Sequence, residues 1–278
     1  MITKQDLENN HDFDAAEDLV EDALNRALSS PDALLLFMGR YTSWNGFFGS
    51  GVATLAGKIG RARGLFQSSD QPIQALADRS VHVASFFFDA AVDEFNDSST
   101  PHRDTHRTLA QACIAGVVGW AQSKGAVPDD EAVNTLLVDP LWLAALHERV
   151  AIGYGAASPD DLLSIFQAMG YHLGSEVLAD REFSLIDDGL REHVPDVVDY
   201  LEHEVITLAG EQHNAYHWLG IHSGHGGAVE WDHFKWAVQG IDRGFRYTDP
   251  SLHKDLHAQL HLGFSDFARD HRVFFENA

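Results

Sequence analysis

An all-α fold is predicted by three features of the sequence. Helix starts recur, each combining an N-capping side chain, a first-turn proline and apolar periodicity; strand signals do not recur; and the apolar content is enough to bury a large core without covalent staples. In chain order, a helix is expected over 14–27. Ser30-Pro31-Asp32 then opens a second before the apolar run 33–38. Further helices are expected over 73–95 and 106–123. Asp139-Pro140 opens 141–150, and Ser158-Pro159-Asp160-Asp161 opens 162–169. Helical periodicity continues over 170–189, 195–208, 213–240 and 252–275. No Asn-Gly hairpin with alternating flanks interrupts this series. The loops at 96–101, 125–129 and 247–250 are too short for interdomain linkers, so residues 1–278 read as one domain.

The stretch 46–64 is unusual, with glycines at 46, 49, 51, 57, 60 and 64. Close helix packing is the expected reason, because neither a phosphate loop nor a dinucleotide fingerprint is present and no strand precedes it. Lys58, Arg61 and Arg63 are candidates to contact an anionic substrate group, or are simply exposed cations.

Composition excludes several classes. The 278 residues are 45% apolar and 10% aromatic, ample for a substantial core. Forty-two acidic against nineteen basic residues give a formal charge of −23, which repels phosphate backbones and anionic lipid, so no nucleic-acid partner is expected. The one cysteine, Cys113, rules out an intramolecular disulfide and a thiolate cluster; it reads as a small core residue in a reducing, cytoplasmic setting. The N-terminal Met-Ile-Thr-Lys-Gln-Asp-Leu-Glu lacks a signal-sequence pattern, and no run of eighteen apolar residues occurs, so no membrane association is expected.

Chemistry concentrates in the histidines, seventeen in all. In the segment 215–234, His222 and His225 precede Glu230, Asp232 and His233. Glu230 and His233, three apart, share a helix face, the spacing that dimetal sites draw from core helices. Gly226-Gly227 suggests a break that brings His222 or His225 back toward that pair. Earlier, His172, Glu176 and Asp180 recur every four residues; Glu176 is the strongest candidate because Leu173, Val177, Leu178 and Phe183 around it are apolar. His82 and Asp89 stand seven apart, two turns up one face, and Asp89 follows three phenylalanines, where an unpaired carboxylate would be costly. Glu94 and His106 are alternatives, although capping or surface roles suit Asp93, Glu94, His102 and His106 as well. His253, His257 and His261 have metal-binding spacing but no fixed carboxylate beside them, and read as a surface stripe. No serine-hydrolase elbow or zincin signature is present.

The helical pattern, the late His-rich segment ending Glu230-Trp231-Asp232-His233-Phe234 and the earlier Gly174-Ser175-Glu176 helix together resemble the haem-oxygenase-like dimetal oxidases and oxygenases, over roughly 73–240. The resemblance implies a haem-oxygenase-like helical bundle, with additional N- and C-terminal helices that pack outside the core or form a homodimer contact. It implies two Fe(II) ions held by His82, Asp89, Glu176, His222, Glu230 and His233, with O2 as co-substrate and a separate electron donor. The substrate would be a small amine or amino-acid-derived metabolite, and N-oxygenation in natural-product biosynthesis the leading reaction. Trp218, Trp231, Trp236 and Phe86–Phe88 would line a dry pocket, or are simply core. One departure stands out: the family's late helix spaces its ligands four and then three apart, whereas His222 to Glu230 spans eight residues and His225 to Glu230 five. Looping out four residues within 223–227, or a one-residue bulge, restores the pattern. Two other readings compete. In one, a metal-independent enzyme of this architecture acts on a heterocycle by acid–base chemistry, with Glu176 and one histidine facing a pocket. In the other, a non-catalytic helical binding protein turns its polar stripes to solvent.

Overall fold

Side-chain caps set six of the helix starts. The computed structural model describes residues 3–66, 78–224 and 229–278, apart from the side chains at 4, 229 and 230. Thr3 closes a capping box with Asp6 ahead of α1 (Lys4–Glu8), and Asp12 caps α2 (Phe13–Ala27) through Ala15 N–H. Ser30 caps α3 (Pro31–Asn45) through Ala33 N–H, as its sequence predicts. Next come α4 (Phe48–Arg61), α5 (Arg79–Phe95) and α6 (His106–Ser123), the last capped by Thr105. Then follow α7 (Asp130–Leu136), α8 (Leu141–Gly153) and α9 (Leu162–His193), which Asp161 caps through Ser164 N–H. The chain ends with α10 (Pro195–His203), β1 (Val205–Leu208), β2 (Glu211–Asn214), α11 (His217–His222), α12 (Val229–Arg246) and α13 (His253–Asn277).

The predominantly helical fold agrees with the sequence, and three local differences have physical reasons. The segments 162–169 and 170–189 form the single helix α9, because Gly170 is buried against a neighbouring helix and does not end the periodicity. The helix expected over 195–208 stops at His203, and an antiparallel hairpin pairs Val205 with Asn214 and Leu208 with Glu211. Its turn places Ala209 and Gly210 at positive φ, 51° and 91°; an alanine there hides the usual hairpin signal. The helix expected over 213–240 is interrupted: α11 ends at His222 and α12 begins at Val229. The first residues of the segment 73–95 lie outside the described residues.

Buried apolar side chains from Leu7 to Phe275 form one contiguous core, with α9 packed on α13, α12 and α2. The α9–α13 seam is close enough for backbone contact. A Cβ at Gly263 would overlap the Gln167 carbonyl oxygen, and one at Gly170 the Leu260 carbonyl oxygen. The glycine-rich stretch is largely α4, where Gly51 lies against the Tyr154 ring, in keeping with helix packing, while Gly57 faces open space. Lys58 is no surface cation: it is 1% exposed and donates to the Gly155 and Ser158 carbonyls at 3.2 and 2.6 Å. Arg61 forks onto Asp160, and Arg63 pairs with Asp78. All three cations are thus committed to local structure. Cys113 is buried as expected, and burial pushes its thiol up to about 12. No described helix is long and apolar enough to cross a membrane.

Candidate metal centre

The middle of α9 is buried on nearly every face, and Glu176 lies there, where a carboxylate must be compensated. Two imidazoles do so: His172 Nδ1, one turn earlier, is 3.0 Å from Oε1, and His233 Nδ1, from α12, is 3.2 Å from Oε2. Burial alone would raise the Glu176 carboxyl, but His172 and His233 outweigh it and hold the group well below the usual range. His233 continues the chain of contacts, with Nε2 at 3.1 Å from Asp93 Oδ2 on α5.

From Asp93 the network passes to α6. His106 Nε2 is 3.7 Å from Asp93 and 3.3 Å from Asp97, and its Nδ1 is 3.3 Å from Glu94. The intervening loop is folded to make this possible. Asp97 N–H donates to the Asp104 carbonyl at 2.9 Å, and Asp97 Oδ1 accepts from Ser99 N–H at 2.7 Å. Burial works against charge on His106, yet the neighbouring Glu94 and Asp97 lift it to about 10. Glu94 and Asp97 are depressed in return, burial notwithstanding. For all these neighbours, both His106 nitrogens are buried without a hydrogen bond of good geometry. Such crowding around an imidazole, without settled pairing, suits a site meant to hold something at its centre.

His222, the last residue of α11, brings the fourth imidazole. Its ring meets His106 edge-on at 4.7 Å between centroids and stacks on Phe183 at 4.5 Å. Nδ1 lies 2.7 Å from the Trp218 carbonyl, and a carbonyl can only accept, so Nδ1 carries the proton and Nε2 the lone pair. Burial, then the charge on His106, pushes His222 down to about 3. A neutral imidazole whose tautomer is fixed by a backbone carbonyl is the form in which histidine ligates metal.

These side chains border a cavity of about 320 Å³, lined by Glu94, His106, Glu176 and His222 together with Phe48, Phe183 and Trp218. The donor set is therefore Asp93, Glu94, Asp97 and Glu176 with His106, His172, His222 and His233, drawn from α5, α6, α9, α11, α12 and the loop after α5. Its chemistry fits hard divalent cations, which accept carboxylate and neutral imidazole together. As they stand, these groups pair with one another, and among the described residues no group of three is placed to hold an ion without rearrangement.

Of the residues singled out from sequence, Glu176, His222 and His233 come together here. Two others do not. His82 lies some eleven residues before Asp93 on α5, about 16 Å along the axis, and its Nδ1 meets the Tyr247 hydroxyl at 3.0 Å. Asp89 is solvent-exposed. Their place on α5 is taken by Asp93 and Glu94, one turn further on. The Glu230 side chain and His225 lie outside the described residues. Of the alternatives, Glu94, His106 and His172 belong to the cluster, whereas Asp180, a turn beyond Glu176 on α9, is only half-buried. The aromatic expectation divides likewise. Trp218 lines the cavity; Phe87 is buried in the core and Trp236 is 5.5 Å from the His233 ring, while Trp231 and Phe88 are 42% and 45% exposed and lie outside the cavity lining.

Asp93, Glu94 and His106 had a readable signal. The two carboxylates occupy the last turn of a helix, and the histidine begins the next; each charge faces the wrong end of a helix dipole. Such an arrangement needs a tertiary reason. No family model, curated protein or solved structure matches the chain.

Proposed function

We propose that this chain is a non-haem diiron oxidase or oxygenase that uses O2 on a small amine or amino-acid-derived metabolite, with N-oxygenation the leading reaction. One observation carries the reading: four carboxylates and four imidazoles interleave in a largely buried layer beside a partly open, aromatic-lined cavity. Glu176, His172, His233 and Asp93 would hold one side of the centre, and His106, Glu94 and His222 the other. Glu230 is retained from its position three residues before His233 on α12. The haem-oxygenase-like resemblance supports the choice of iron and of nitrogen oxidation.

When bound, two ferrous ions would supply the electrons and Lewis acidity for dioxygen chemistry. The protein's own contributions are definite. Trp218 fixes the tautomer of His222 through its carbonyl, and Asp97, held by Ser99, sets a negative charge 3.3 Å from His106 Nε2. Phe183 and Trp218 keep the inner cavity dry, so that charge at the centre acts in a low dielectric. The imidazole–carboxylate contacts are the ones that cations would replace, releasing any bridging protons as they bind.

Anaerobic titration of metal-free protein with Fe(II), followed by admission of O2 under optical observation, tests the reading. Two irons per chain and a transient visible band are expected, with both lost in Glu176→Ala and His233→Ala. Absence of stoichiometric binding would overturn it, and would favour metal-independent acid–base chemistry on a heterocycle or a non-catalytic binding role.

A further inference from the structure

Arg107 follows His106 in the first turn of α6 and lines the same cavity, of which it is the sole lysine or arginine among the described residues. Its side chain is exposed while Glu176 and His222 are buried, so the cavity runs from a cation at the solvent side to the candidate centre within. The guanidinium is positioned rather than loose. Nη1 donates to the Thr42 carbonyl at 2.7 Å, and the group lies across Gly46, where any Cβ would collide with it.

A guanidinium carries five N–H donors, and one carbonyl takes only one of them. The chain has forty-two acidic residues, yet among the described residues no carboxylate pairs with Arg107. Arg61 forks onto Asp160 and Arg191 takes Asp187 and Glu202, whereas Arg26 and Arg40, like Arg107, donate to a backbone carbonyl; of these, Arg107 is the one that lines the cavity. Much of the remaining cavity wall is apolar, including Phe48, Ala110, Phe183 and Trp218, with Asn45, Ser50, Thr105 and Ser175 as its polar members. Its volume, about 320 Å³, is at the small end for ligand sites.

We infer that the substrate is a small monocarboxylic acid with an apolar body, its carboxylate held by Arg107 and its far end, which on the diiron reading bears the amine, presented to the Glu94–His106–Glu176–His222 end of the cavity. A planar carboxylate matches the guanidinium fork. A phosphate dianion suits the cavity less well, since Glu94 and Glu176 line it too and Arg107 is its one lysine or arginine among the described residues. What happens at the far end rests on the diiron reading; the binding mode does not.

The test is calorimetric titration of metal-free protein with 3-phenylpropanoate, indole-3-propanoate and octanoate, each against its primary amide. At least one acid is expected to bind, tenfold or more tighter than its amide. Arg107→Gln should erase that preference by weakening the acid alone, and Arg107→Lys should keep part of it; thermal melts check that both variants fold. Equal binding of acid and amide, a preference that survives Arg107→Gln, or no binding by any pair would overturn the inference. Acid preference in a chain that takes up no iron would sink the diiron reading and leave this one standing, and two irons without acid preference would do the reverse.

Discussion

Glu176 and Glu182 lie six residues apart on α9, both buried, and they are held in opposite ways. Glu182 has two close neighbours: the Tyr41 hydroxyl donates to Oε1 at 3.0 Å, and His271 Nε2 lies 3.0 Å from Oε2 without a hydrogen bond of good geometry. The apolar side chains Val20, Leu178 and Leu185 lie close by. Glu176 also meets two partners, but His233 passes on to Asp93, and Asp93 to His106, which is shared among three carboxylates. One glutamate ends at a single histidine and tyrosine, the other begins a network of further carboxylates and imidazoles, opening on a cavity. Burial of a carboxylate therefore does not by itself mark a site on this helix; the continuation into a cluster beside accessible space does.

The comparison can be broken most directly by removing each acid in turn. Glu176→Ala is expected to abolish binding of both irons, and because it strands His172 and His233, which hold its carboxyl depressed, it should also destabilise the metal-free protein by about 3–5 kcal/mol. Retention of two irons would erase the distinction. Glu182→Ala should touch stability alone. It strands His271 in the core and costs about 3–5 kcal/mol in urea unfolding, while iron stoichiometry stays at two. An unchanged unfolding midpoint would show that the closed pair is not what stabilises this end of α9.

Smaller effects sharpen the same contrast between packing and site. Gly263→Ala forces a methyl group against the Gln167 carbonyl and should cost about 3 kcal/mol by the same assay, with α9 and α13 pushed apart. A neutral result would mean that the seam is looser than its backbone contacts indicate. Gly57→Ala, on the exposed face of α4 with nothing within 4 Å, should instead stabilise by about 0.5–1 kcal/mol, through reduced freedom of the unfolded chain. Loss of stability there would show that α4 has a neighbour on that face.

Part of the site is legible in the sequence. Glu176 stands out because its neighbours along the helix are apolar, and His222 and His233 because histidines and acids crowd one segment. His82 and Asp89 satisfy a seven-residue spacing beside a phenylalanine run, but that run wraps around α5: Phe87 is fully buried and Phe88 45% exposed, so it marks no single inner face. The better clue lies in the helix boundaries at 95 and 106, which periodicity places correctly. Acids ending one helix and a histidine starting the next have no local justification.

Neighbours along the chain suffice for the predominantly helical class, the caps at Ser30 and Asp161, the α6 boundaries and the buried, inert Cys113. These follow from hydrogen bonds and periodicity within one or two turns. Only the packing of the helices turns Asp93, Glu94, Asp97 and His106 toward Glu176, buries Lys58 and lays Arg107 across Gly46 without a carboxylate. Each of these depends on which helices meet and how closely, and the free energy of a buried charge is set by the groups that surround it in space, which spacing along one helix does not encode.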